Sequence, residues 1–213
     1  MSGRKKWRYP PYPPPFPLSD AYEYGRDLWK RIDETIEGGP GCGPGDAALL
    51  SQIAYDTGNT HHLEIGTLFG STAIQVAKTK QEFDLQGDVF CVDNFTYLSE
   101  WASPELVKEN ADKFGVADRI HVVKANSWPL PPPLESMFFG SSYIDAAHDF
   151  GHCQRDWLTV KDISRMVAFH DYDIAHMGVV STLRNAMQEP GWMLIHLSFH
   201  TAIMERLESL YTE

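Results

Sequence analysis

The chain has 213 residues, with 18 Lys and Arg against 29 Asp and Glu and a formal net charge of -11. That length suits one domain with a substantial core, and the acidic balance argues against a nucleic-acid partner, which calls for a net basic face. No apolar run approaches the ~18 residues of a membrane span. Cys42, Cys91 and Cys153 are odd in number, far apart and without a CxxC pair. A zinc ribbon or disulfide framework is therefore not expected, and a reduced, cytoplasmic setting is.

The first 18 residues read as an arm. Arg4, Lys5, Lys6 and Arg8 form a short basic terminus, best explained as a solvated tail. Residues 8–17, RYPPYPPPFP, are too proline-dense for a helix or an inner strand. They are expected to lie extended on the domain or on a sister subunit, so a homodimer through the arm is one possible assembly. Residues 19–213 then form a single domain, with helices over 19–58 and a sheet core over 59–213.

Ser19 or Asp20 caps a first helix, in which Tyr22, Leu28, Ile32 and Ile36 supply the apolar spacing. The loop GGPGCGPG (38–45) ends it, and Asp46 is expected to cap a second helix that runs to about Gly58. From there short apolar runs alternate with helical segments. Strands are expected over 61–66, 88–93, 119–125, 137–145 and 165–171, and helices over 71–80, 104–114 and 152–163. The runs 192–198 and 201–207 are close enough for a hairpin. Parallel strands joined by crossovers give an α/β, Rossmann-like, doubly wound sheet with an antiparallel terminal hairpin.

Such sheets bind ligands beyond the carboxyl ends of their strands. The first strand ends in LEIGTLFGST (63–72), where Gly66 and Gly70 permit a tight turn before a helix N-terminus. There is neither a GK[ST] phosphate loop nor a GxGxxG spacing. Glu64, within the strand, suits a cationic or hydrogen-bond-donating ligand, or is satisfied by neighbouring backbone. Asp93 ends the second strand and is placed to accept from ribose hydroxyls, or to cap the next segment. The two carboxylates favour an adenosine-type ligand without a phosphate.

LEIGTLFGSTAIQVA, VFCVDNF, GVADRIHVVKANS, IDAAHDF and VAFHDY together resemble, in order, the motifs of class I S-adenosylmethionine-dependent methyltransferases, in the form found in small metal-dependent O-methyltransferases. The likeness spans roughly 38–207 and implies a seven-stranded sheet. It implies that Glu64, Gly66, Thr67 and Gly70 line the methionine and ribose side of the cofactor. Ser71 and Thr72 would meet its carboxylate, Asp93 the ribose, and Asn126 or Ser127 the adenine. One departure is Ile163-Ser164-Arg165, where the family often has a glycine pair before the fifth strand.

Asp145 and Asp171 end neighbouring parallel strands, with His148 just past the first and His170 just before the second. Strand-end carboxylates of this kind suit Mg²⁺. The resemblance implies Asp145, His170 and Asp171 as metal ligands, His148 as general base, and Asp145 as catalytic and beside the cofactor. An imidazole at 170 fits Mg²⁺ poorly and shifts the preference toward Mn²⁺ or another transition metal. The plainer alternative has His148 capping the helix near Gly151 and His170 satisfied beside the sheet. Asp156 is open between a supporting role and a helix-surface acid, and spacing alone does not bring Asp173 or His176 into the site. Phe69, Phe95, Tyr97, Trp101, Trp128, Phe150 and Tyr172 flank the strand ends as candidate pocket walls or core, with Trp128 beside the adenine. The expected activity is metal-assisted methyl transfer to a hydroxyl of a small molecule or sugar. The alternatives are a hydroxylase-labelled relative on the same fold, or a non-catalytic cofactor- or partner-binding domain.

Overall fold

The helix that opens the domain, α1 (Asp20–Thr35), starts where the sequence places it. Ser19 is its cap, accepting from the Ala21 N–H at 3.2 Å. The computed structural model describes residues 18–198 and 200–207. The proline-dense stretch, and the dimer contact expected of it, lies outside the described residues. The second helix, α2 (Pro44–Asp56), begins three residues earlier than expected. Pro44 takes the first turn, where its fixed φ fits and its missing N–H costs nothing, and Gly43 is the cap. Asp46 is therefore not the cap. Its carboxylate is buried and accepts from Thr201 Oγ1 at 2.8 Å and the His200 N–H at 3.2 Å, tying α2 to the far end of the chain.

Seven strands follow: β1 (His61–Ile65), β2 (Val89–Asp93), β3 (Ile120–Lys124), β4 (Phe139–Ile144), β5 (Ser164–Phe169), β6 (Trp192–Ser198) and β7 (Thr201–Arg206). Their order is β3-β2-β1-β4-β5-β7-β6. The pairings from β3 through β5 are all parallel, and β7 runs antiparallel to both β5 and β6. The doubly wound sheet with an antiparallel terminal hairpin is thus as the sequence predicts.

The crossover helices are α3 (Ser71–Glu82), α4 (Pro104–Lys113), α5 (Phe150–Val160) and α6 (Met177–Ala186). The last is not expected from the sequence pattern. Val179, Val180, Ser181 and Thr182 are weak helix formers, yet Val179, Leu183 and Ala186 are buried at helical spacing. Entry to β5 shows how the chain does without a glycine pair. The Lys161 and Ile163 N–H groups bond back to the Trp157 and Val160 carbonyls, and Ser164 then meets Ser142 side chain to side chain at 2.6 Å.

Each face of the sheet buries its own core. One packs Cys91, Tyr143, Met166, Ala168 and Ile203 under α1–α4, and the other packs Ile65, Phe139, Val167, Phe169 and Met204 under α5 and α6. Covering both faces leaves the strand ends as the natural place for a ligand.

Candidate active site

A row of backbone hydrogen bonds carries the sheet register one residue past the strands. The Gly66 N–H reaches the Val92 carbonyl at 3.0 Å, Asp145 reaches Ile65 at 2.9 Å, and His170 reaches Ile144 at 3.1 Å. Gly66, Asp145 and His170 are therefore aligned across β1, β4 and β5. Gly66 has φ +87, and a Cβ there would lie 2.1 Å from the Asp145 carbonyl oxygen, so only glycine fits.

The β1–α3 turn is held by Asp93. Its Oδ2 accepts from the Thr67 and Leu68 N–H groups at 2.9 and 3.0 Å, and its Oδ1 accepts from Phe95 at 2.7 Å. Leu68 sits at φ 46 within that turn, a conformation costly for a branched side chain. Asp93 thus ties two loops together as well as edging the cleft. Helix α3 opens from Gly70 without a side-chain cap, which leaves its N-terminus available to an anionic group.

A cleft of about 720 Å³ runs along the strand ends, and Gly66, Thr67, Ser71, Thr72, Asp93, Asn126, Ser127, Asp145, His148 and Asp171 all line it. Three predicted site residues do not. Glu64 lies beneath the floor, fully buried, and accepts from Thr67 Oγ1 at 2.5 Å. Burial pushes its carboxyl up to about 8, and its Oε2 has no hydrogen-bond partner. Gly70 packs against Val107 on α4. His170 sits behind Asp171, buried.

The acid–histidine cluster closes one end of the cleft. His148 Nε2 lies 3.0 Å from Asp171 Oδ2 and 3.8 Å from Asp145 Oδ1. Asp145, with Asp171 beside it, holds this imidazole above its ordinary value despite partial burial. His170 Nδ1 lies 3.1 Å from Asp145 Oδ1 and 3.5 Å from Asp171 Oδ2, and its Nε2 lies 3.9 Å from Asp46 Oδ2. Burial opposes a charge on His170, but its bonds to Asp145, Asp171 and Asp46 outweigh that and push it up to about 12. Burial likewise works against the Asp145 charge, yet His148 and His170 keep that carboxyl below the usual range. Asp171 has φ 55, a left-handed conformation that Asp tolerates.

His148 does not cap α5; Asp149 does, accepting from the His152 N–H at 3.2 Å. His176 stacks edge-on against His148 with ring centres 4.6 Å apart, and Asp173 accepts from it at 3.1 Å. Neither was reachable from spacing. Both lie on the unpredicted lead-in to α6.

At the other end, the Asn94 amide donates to Asn126 Oδ1 at 3.0 Å, and Ser127 Oγ donates to Asp156 Oδ1 at 2.5 Å. Asn94, Gly41 and Arg155 also line the cleft; Asn94 directly follows Asp93 within VFCVDNF, which is the signal that could have found it, and no motif marks the other two. Of the aromatic candidates, Phe69, Tyr97 and Trp128 line it, while Phe95 is core.

Donor atoms of Asp145, His170 and Asp171 lie within 4.8 Å of one another. Two carboxylate oxygens suit a divalent ion, while His170, held charged by its three carboxylate neighbours, has no free lone pair to offer it. Asp145 and Asp171 fit that role best, because they also face the cleft. A cofactor bearing a cation and an adenosine also fits, with acidic groups at one end and amide and hydroxyl groups at the other.

Comparison with known proteins gives a consistent result. A family described as a methyltransferase domain matches residues 63–172. No curated protein matches the sequence. Among solved structures, the O-methyltransferase from Bacillus cereus in complex with S-adenosylhomocysteine is 17% identical, with 89% of this chain and 91% of that one covered at a TM-score of 0.60. The O-methyltransferase TomG from Streptomyces achromogenes, in complex with S-adenosylmethionine, is 15% identical over 88% and 90%, also at 0.60. The S-adenosylhomocysteine-bound methyltransferase PaMTH1 from Podospora anserina is 14% identical over 89% and 88%, at 0.58. At these identities the likeness is one of fold.

Proposed function

The chain belongs to the methyltransferase-domain family that matches residues 63–172, and from that premise we propose that it moves the methyl group of S-adenosylmethionine to a hydroxyl oxygen of a small molecule or sugar, assisted by a divalent ion. One observation carries the reading: Asp145, His148 and Asp171 converge at one end of a cleft that also exposes Gly66, Asp93 and Ser127.

The reaction breaks an S–CH₃ bond and forms an O–CH₃ bond, leaving a neutral thioether. Because the leaving group already carries the positive charge, the protein must chiefly position the hydroxyl and remove its proton. Asp93 and the Gly66–Gly70 turn bind the ribose side, the α3 N-terminus receives the carboxylate, and Asn126 and Ser127 flank the base. His148, in its neutral form, takes the hydroxyl proton as the O–CH₃ bond forms, and Asp145 and Asp171 stabilise the imidazolium that results. Asp145 and Asp171 would hold the ion, which supplies Lewis acidity that lowers the acceptor pKa. His170, charged among three carboxylates, keeps that pair from repelling each other. Tyr97, exposed on the cleft wall, offers an apolar face to an acceptor, and Trp128, next to Ser127, offers one to the base.

Methyl transfer to a panel of catechols and sugars tests the assignment. His148→Gln should lower kcat by roughly 10²–10⁴-fold with cofactor affinity unchanged. Asp145→Asn should abolish dependence on added Mn²⁺ or Mg²⁺. Unaltered turnover in both variants would contradict the assigned roles.

A further inference from the structure

His176 and Asp173 take no part in the steps above, yet His176 stands directly against the base. It occupies the residue before α6, where a side chain ordinarily caps the helix, and its ring makes no capping bond. That work falls to Asp173, whose Oδ1 accepts from the Ala175 and His176 N–H groups at 2.7 and 3.1 Å. The same oxygen accepts from His176 Nδ1 at 3.1 Å, and Oδ2 accepts from His200 Nδ1 at 3.2 Å. The Tyr172 N–H reaches the His200 carbonyl at 2.9 Å. Asp173 is thus anchored both to the lead-in of α6 and to the β6–β7 hairpin, and it fixes the His176 ring.

His148 needs such a support. It lies on the loop between β4 and α5, and its side chain is 36% exposed. Its Nε2 stands 3.0 Å from Asp171 Oδ2, but among the described residues no well-directed hydrogen bond reaches that nitrogen. The carboxylates therefore favour the charge of the imidazole without setting its plane. A base serves only when its lone pair lies along the acceptor O–H. The group that meets the ring directly is His176, tilted 71° to it with ring centres 4.6 Å apart, an edge-on arrangement that aromatic rings favour. His176 does not line the cleft, so it acts through its neighbour.

We propose that His176 is a positioning residue for the methyl transfer: fixed by Asp173, its ring holds the His148 imidazole at the angle from which it takes the acceptor's proton. The proposal rests on reading His148 as the base. His176 works by shape, so a phenyl ring at that position replaces it and a methyl group does not.

The test is a double-mutant cycle on the full chain, with turnover read as S-adenosylhomocysteine formed from S-adenosylmethionine over the catechol and sugar panel. His176→Ala should lower kcat by up to about 100-fold, with acceptor KM and affinity for S-adenosylhomocysteine unchanged. The unchanged affinity also reports that the variant is folded. His176→Phe should recover most of the loss. In a His148→Gln background His176→Ala should cost nothing more, because residues that act as a unit are not additive. Unchanged kcat in His176→Ala would overturn the proposal and leave His148 as the base. So would a loss that His176→Phe does not recover, or one that is the same with and without His148. Turnover untouched by His148→Gln would overturn the base reading, and the proposal with it. A readout that needs no acceptor is the crystal structure of His176→Ala with S-adenosylhomocysteine bound, in which the His148 ring should leave its wild-type rotamer. A ring that keeps that rotamer would overturn the proposal even if no member of the panel is methylated.

Discussion

Glu64 shows how one buried group can set both the floor of a site and the pH response of the fold. Its carboxyl is raised from 4.5 to about 8 by burial, with the Asp145 and Asp93 charges adding to the effect. Between those values the unfolded chain gives up a proton that the folded chain keeps, so stability must fall as pH rises through the window. Glu64→Gln keeps the shape and removes the titration. Its melting temperature should gain on that of the wild-type chain by several degrees between about pH 5 and pH 8. Parallel melting curves across that range would show that Glu64 is charged in the folded state. Strand alternation makes part of this legible in sequence, since adjacent residues face opposite sides of a sheet. At 170 and 171 the cause is different, since both lie past β5 and the left-handed backbone of Asp171 brings it to the cleft while His170 stays buried. What no local pattern shows is that His170 and Thr201 meet Asp46, more than a hundred residues away on α2.

At the scale of elements, the cluster depends on how closely α6 approaches the loop after β4. Gly178, in the first turn of α6, lies against that loop. A Cβ there would stand 2.2 Å from the His148 carbonyl oxygen and 2.4 Å from the Phe150 nitrogen. Gly178→Ala should therefore push the His148 loop and α6 apart, at a stability cost of roughly 1–3 kcal/mol. It should lower kcat more than it weakens binding of S-adenosylhomocysteine, because the displaced loop carries His148 and neither Asn126 nor Ser127. A variant of wild-type stability and turnover would show that the loop gives way freely. Helix α6 is also the element the sequence hid. Its Val-Val-Ser-Thr run has poor helix propensity, and burial of Val179, Leu183 and Ala186 overrides that. The topology could have supplied it, since parallel β5 and β6 need a crossover. The five parallel strands were legible because buried parallel strands read as short, bounded, β-branched runs, and the last two because their runs lie close enough for a hairpin.

For the whole molecule, the sheet order puts the ends of β1, β2 and β3 on one side of the β1–β4 switch point and those of β4 and β5 on the other. That division separates the glycine turn and Asp93 from the acid–histidine cluster, and it brings residues from Gly41 to Asp171 together along one cleft. The chain is net acidic, and no described helix is long and apolar enough to cross a membrane. The cleft wall is the part least legible in sequence, because the loops that carry Tyr97 and Trp128 belong to no repeating pattern. The measurement closest to the central claim is calorimetric titration of S-adenosylhomocysteine into the full chain, first in chelator and then with Mn²⁺. Saturable binding at one site per chain is expected in both conditions, weakened at least about tenfold by Asp93→Ala through loss of its charged hydrogen bonds. No heat of binding in either condition would contradict the claim.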